Sequence, residues 1–140
     1  MKLRIRGDSI RLRLTEPEVR ALAERGFVEE VTRFPGAAEL RYRVEVGETV
    51  DGVHAGLVKS RLWVRLSRAA VRKWAAGSDV GIEGTQSLND GSMLRILVEK
   101  DFECLNAGHA EKNEGAYPHP AREERARACA SKLGGSGEGA

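Results

Sequence analysis

The chain predicts an α+β domain: a mostly antiparallel sheet or partial barrel of seven to eight strands with two short helices. Three observations predict it. Apolar and charged residues alternate with period two through much of residues 1–100. Only two stretches carry helical spacing behind a capping residue, and Gly, Asp and Pro punctuate the chain at short intervals. Connections that short join antiparallel neighbours.

Residues 1–14 read as a β-hairpin with one apolar and one basic face. Met1, Leu3 and Ile5 are apolar, then Ile10, Leu12 and Leu14, so the parity flips across Gly7-Asp8. Gly7 suits the first position of a two-residue loop because it accepts positive φ. Pairing Arg6 with Ser9 aligns Ile5 with Ile10 and Leu3 with Leu12. It also sets Arg4 against Arg11 and Lys2 against Arg13. Like charges directly opposite cost stability unless anions lie between them. The neutraliser of that face is the main functional question.

Thr15-Glu16-Pro17-Glu18 then starts a helix, with Thr15 and Glu18 forming a capping box and Pro17 in the first turn. Val19, Leu22 and Ala23 share one face, and Gly26 supplies the stop. Residues 27–34 form a strand, Pro35-Gly36 a turn, and residues 40–46 a half-buried strand with alternating Leu40, Tyr42, Val44 and Val46. Residues 53–58 are a weaker strand and residues 62–66 a stronger one. Ser67 caps a second short helix over residues 68–76, closed by Gly77. A brief strand at 80–83, a loop over 84–92 and a buried strand at 93–99 complete the order β-β-α-β-β-β-β-α-β-β. No internal repeat is visible. The expected organisation is a compact domain over residues 1–105, an irregular extension over 106–120 and a disordered Ala/Arg/Glu- and Gly/Ser-rich tail over 121–140.

The 140 residues suffice for one domain with a modest core, and the 41 % hydrophobic content is in the globular range. Net charge is only +2, yet unevenly spread. Residues 1–76 carry 16 Lys/Arg against 10 Asp/Glu, and residues 77–140 carry 7 against 11. Counter-charge for the basic hairpin therefore exists within the chain, which argues against nucleic acid as the partner. Two cysteines, Cys104 and Cys129, in unlike contexts fit a reducing compartment. The charge-interrupted start lacks the apolar core of a signal peptide, and no apolar run approaches a membrane span. A cytoplasmic protein with no membrane partner is expected.

The opening Met-Lys-Leu-Arg-Ile-Arg-Gly-Asp-Ser-Ile-Arg-Leu-Arg-Leu-Thr of residues 1–15 is one of four stretches that point to a family. The others are Trp74, Val80-Gly81-Ile82-Glu83-Gly84 and Leu97-Val98-Glu99-Lys100-Asp101-Phe102-Glu103-Cys104-Leu105. Together they make the chain resemble a family of small bacterial proteins catalogued only as a domain of unknown function, over about residues 1–120. The resemblance implies a bacterial source and a shared compact fold. It brings no activity, cofactor or catalytic residue.

The candidate contact surface is the basic face: Lys2, Arg4, Arg6, Arg11 and Arg13, joined by Arg41 and Arg43. Arginine forks match phosphate and carboxylate oxygens. The competing reading is a face paired internally with Glu29, Glu30, Glu39 or Glu45. Closure into a small barrel would instead turn the cations into a polar lumen, as in tunnel-type triphosphate-handling enzymes. Those open with alternating glutamates that hold metal, whereas this chain opens with arginines. Arg61, Trp63 and Arg65 put an aromatic between two cations; Trp63 could stack a base or sugar, although packing is the preferred reading. Glu99, Asp101 and Glu103 cluster after the last strand, where Asp101 and Glu103 are expected to neutralise Arg11 or Arg13.

Catalytic and metal signals are weak. Cys104, His109, His119 and Cys129 lack the short ligand pairs of zinc sites, and His54 stands alone. There is no nucleophile elbow, phosphate loop or dinucleotide fingerprint. No cofactor and no catalytic residue is expected. The reading is a non-catalytic binding or interaction module of the bacterial cytoplasm, its partner a protein met through the basic face. The alternative is a binder of a small phosphate-bearing ligand, or an enzyme acting on one. Exposed strand edges also allow a homodimer.

Overall fold

In the computed structural model, which describes residues 1–48, 51–102 and 115–118, eight strands and two helices follow the order read from the sequence. They are β1 (Lys2–Ile5), β2 (Ser9–Leu14), α1 (Glu16–Arg25), β3 (Phe27–Arg33), β4 (Glu39–Gly47), β5 (Val53–Val58), β6 (Arg61–Ser67), α2 (Arg68–Ala76), β7 (Gly81–Ser87) and β8 (Met93–Lys100). The hairpin register is the expected one, Leu3 opposite Leu12 and Arg4 opposite Arg11, and Gly7 has φ +51°. Glu18 accepts the Thr15 N–H at 2.8 Å to fix the start of α1, and Gly26 closes it at φ +87°. Ser67 accepts the Ala70 N–H to start α2.

The strands form two four-stranded sheets, β1-β2-β8-β7 and β3-β4-β6-β5. Each is two hairpins side by side. The hairpins are antiparallel, but the pairs that join them, β2 with β8 and β4 with β6, are parallel. The sheets are therefore mixed, and short connections revealed only their outer pairings. No barrel closes. On one side β5 and β7 lie together, with the Ala55 N–H donating to Gln86 Oε1 at 2.8 Å. On the other side β1 and β3 remain edges.

One correction concerns the loop expected over residues 84–92. Strand β7 runs on to Ser87, because Thr85 and Gln86 pair with Arg95 and Leu94 and because Gln86 reaches β5. Only residues 88–92 turn, with Asp90 accepting the Ser92 N–H.

A second correction is the repeat. The chain is a duplicated β-β-α-β-β unit, β1 to β4 followed by β5 to β8. Adding 52 to a residue number carries Leu12 onto Val64, Leu14 onto Leu66, Thr15 onto Ser67, Val19 onto Val71 and Leu22 onto Trp74. It also carries Gly7 onto Lys59, and both have positive φ, +51° and +54°. In the second hairpins the shift is 54, placing Val44 on Val98 and Glu45 on Glu99. The units exchange sheets, so each sheet takes one hairpin pair from each half.

The core lies between the inner sheet faces and beneath the helices. Ile10, Leu12, Leu14, Ile96 and Val98 come from the first sheet; Val28, Val44, Val53, Ala55, Leu62, Val64 and Leu66 come from the second. Val19, Leu22, Val71 and Trp74 close it from α1 and α2, which pack on each other. Trp74 is buried and its Nε1–H donates to the Val80 carbonyl at 3.2 Å, so its polar atom is satisfied. In β1, β2 and β6 every inner position is apolar, so the alternate residues of these strands are forced outward.

Candidate functional site

That forced alternation puts Lys2, Arg4, Ser9, Arg11 and Arg13 on the outer face of the first sheet, with Arg6 at the hairpin tip. Strand β8 lies parallel to β2, and the register sets Ser9 beside Arg95, Arg11 beside Leu97 and Arg13 beside Glu99. Arg95 of that strand therefore lies beside the cations of β2 on the same face. Its local sequence marked it as polar but could not say which strand it would meet.

Glu99 is the neutraliser. Its carboxylate is largely buried and accepts from Arg11 Nε at 2.6 Å and from Arg13 Nε at 2.7 Å. Burial pushes the Glu99 carboxyl up, but the hydrogen bonds and charges of the two guanidiniums outweigh it and hold it below the ordinary carboxylate value. Asp101, expected to serve Arg11 or Arg13, instead meets Lys2 Nζ at 2.6 Å. Alternation alone suggested equivalent acids, whereas the parallel register gives both arginines to Glu99. Glu103, Cys104, His109, His119, Cys129 and the expected tail lie outside the described residues.

The duplicate repeats the device on the second sheet. Glu45, the counterpart of Glu99, accepts from Arg65, the counterpart of Arg13, and from Arg43 Nε at 2.9 Å. Arg41 meets Glu39 at 2.7 Å. Arg41 and Arg43 thus belong to the outer face of the other sheet and do not extend the basic hairpin. Nor do Glu29, Glu30, Glu39 or Glu45 neutralise the hairpin's side chains. Glu30 holds the Met1 ammonium at 2.7 Å, and Glu18 is its second partner. The lumen reading falls as well, because the inner faces are apolar core and the cations point outward.

Trp63 is held by packing. Its ring occupies the space over Gly56, where a Cβ would come within 2.3 Å of Cζ2, and the Arg65 guanidinium lies 4.8 Å from its centroid. Arg43 lies similarly over Phe27, at 4.0 Å. Glu45 supplies the counter-charge to Arg43 and Arg65, and the cation–aromatic pairs hold the two guanidiniums against the rings.

Among the described residues Arg25, Arg33, Arg61 and Arg72 make no ion pair, and on the outer face and tip of the first sheet three further guanidiniums are in the same state. Arg4, Arg6 and Arg95 make no ion pair among the described residues, in contrast to Lys2, Arg11 and Arg13. Arg4, Arg6, Ser9 and Arg11 line a depression of about 180 Å³. Ser9 also borders a second, shallow depression of about 520 Å³ with Glu83, Thr85, Arg95 and Leu97. The two form one open surface at the tip of β1 and β2. Such a surface can fork hydrogen bonds onto carboxylate or phosphate oxygens, but it has neither a buried nucleophile nor an enclosing wall. Among the described residues no three His, Cys, Asp or Glu side chains converge as a metal site, and no helix is long and apolar enough to cross a membrane.

The architecture is a duplicated α+β fold of two mixed four-stranded sheets and two helices. The chain belongs to a family of unknown function, DUF7009, whose family model matches residues 1–121. No curated protein and no solved structure matches it.

Proposed function

We propose that this protein is a non-catalytic interaction module of the bacterial cytoplasm that receives an anionic group of a protein partner on the outer face of its first sheet. The observation that carries the reading is the division of labour among the basic residues. Lys2, Arg11 and Arg13 are spent on Asp101 and Glu99, while Arg4, Arg6 and Arg95 surround Ser9 with no carboxylate of their own among the described residues. Arg4 and Arg6 line one depression with Ser9, and Arg95 lines the adjoining one with Ser9 and Glu83; like charges so close repel, and an anion between them relieves the repulsion. The open shape favours a macromolecular surface over a small metabolite, which is bound in deeper clefts. Two cysteines among 140 residues support a reducing compartment.

The test is a titration at low salt followed by backbone amide resonances. Oligoglutamate is expected to shift Arg4, Arg6, Ser9 and Arg95, with the shifts lost in 0.5 M salt and in the R4A/R6A double variant. Pyrophosphate acting where oligoglutamate does not would favour the phosphate-ligand reading. If neither anion moves these four amides, the basic face has no binding role.

A further inference from the structure

We propose that strand β1 accepts an extended acidic segment of the partner as a fifth strand of the first sheet. The inference rests on the basic-face reading and adds the mode of binding to it. It begins with the direction of the backbone. The Arg6 N–H donates to the Ser9 carbonyl at 3.0 Å, so Arg6 and Ser9 are a hydrogen-bonded pair. Antiparallel pairs alternate, so Arg4 with Arg11 and Lys2 with Arg13 are also bonded. Leu3 and Ile5 lie between them, and their N–H and C=O groups point away from β2.

The duplicate shows what such groups require. Ala55 is the counterpart of Leu3 under the shift of 52, and its outward N–H is taken by Gln86 of β7 at 2.8 Å. The position equivalent to Gln86 in the first half is Thr32 of β3, which makes no hydrogen bond to Leu3. Among the hydrogen bonds of the described residues, β3 meets the start of β1 through Glu30, which accepts from the Met1 ammonium. Among the described residues, the edge that one half covers from within is left open by the other. Open edges of this kind are where added strands pair.

The side chains select the occupant. On an added strand, residues opposite Leu3 and Ile5 would point to the inner side, beside an Ile5 that is 59 % exposed. Residues opposite Arg4 and Arg6 would point outward against two guanidiniums. The fitting segment alternates apolar residues with Asp or Glu. A second copy of this chain is disfavoured, because β1 against β1 would set Lys2, Arg4 and Arg6 against one another.

The experiment uses the full chain and a short peptide alternating glutamate with valine. Amide hydrogen exchange at Leu3 and Ile5 is expected to slow on adding it, and a peptide alternating lysine with valine should have no effect. Ile5→Pro removes one outward N–H while sparing every bond to β2, a substitution an edge strand tolerates. It should weaken binding about tenfold and leave the melting temperature near that of the parent. Should I5P fail to fold, exchange at Leu3 and Ile5 in the parent decides alone. If the peptide binds but those amides stay unprotected and I5P binds like the parent, strand addition is wrong while the basic face stands. If R4A/R6A binds the peptide as tightly as the parent, the basic-face reading falls with it. Protection of Leu3 and Ile5 that rises with protein concentration and needs no peptide would assign the edge to a second copy and overturn the proposal.

Discussion

Replacing Glu99 with Gln tests whether the outer face of the first sheet depends on one carboxylate. Glu99 accepts two charge-assisted hydrogen bonds, at 2.6 and 2.7 Å, from arginines on the neighbouring strand. Bonds to charged groups contribute about 1.5–3 kcal/mol each when desolvated. The Arg11 and Arg13 side chains are 35 % and 43 % exposed, so water and salt reduce that to roughly 0.5–1 kcal/mol apiece. Gln keeps the shape and one acceptor but leaves adjacent guanidiniums uncompensated. The expected loss is about 1–2 kcal/mol at pH 7, or roughly 0.5–1 M in the urea midpoint. The sign with pH follows from the depressed carboxyl. Its stabilisation is complete above the ordinary value of 4.5 and is lost as pH falls through the lower folded value. Parent and E99Q should therefore converge under acid, where the parent's own carboxyl is neutral. Lys2→Ala, removing a pair with a 57 % exposed lysine, should cost less than about 0.5 kcal/mol and serves as the control. Urea titrations at neutral and acidic pH read both effects. Equal midpoints at pH 7, or a gap that does not begin to shrink as pH falls below the ordinary carboxylate value of 4.5, would refute the reasoning.

Lys59→Gly should raise the melting temperature, because Lys59 holds φ +54° where its counterpart is Gly7; relief of about 1–2 kcal/mol is partly offset by the freer unfolded chain. Gly56→Ala should cost about 1–3 kcal/mol and shift the Trp63 indole resonance, since the new Cβ collides with the ring. Trp74→Ala should cost about 3–5 kcal/mol in chemical denaturation, as the residue is 1 % exposed and fills the junction of both helices with the core. Glu45→Gln, the duplicate of E99Q, should lose a similar amount, and the two losses should add in the double variant because the carboxylates lie on different sheets.

Local grammar was legible in the primary structure. The parity flip across Gly7 set the first hairpin's register, and Thr15, Glu18 and Ser67 marked the helix starts. The element order followed, and with it the outward sense of Lys2, Arg4, Arg11 and Arg13. These features depend on neighbours a few positions apart, so alternation and capping reveal them. The duplication was hidden because substitutions such as Gly7 to Lys59 and Leu22 to Trp74 keep the backbone pattern while changing residue identity.

Only the tertiary structure decided which hairpins meet. Arg11 and Glu99 lie 88 positions apart, and nothing near either names the other. The parallel seam between β2 and β8 assigned Arg11 and Arg13 to Glu99, left Asp101 to Lys2, and brought Arg95 beside Ser9. It also sent Arg41 and Arg43 to the other sheet. Strand faces follow from the chain's own period, but partners across a seam are chosen by how the whole core closes, and that is settled only when both halves pack together.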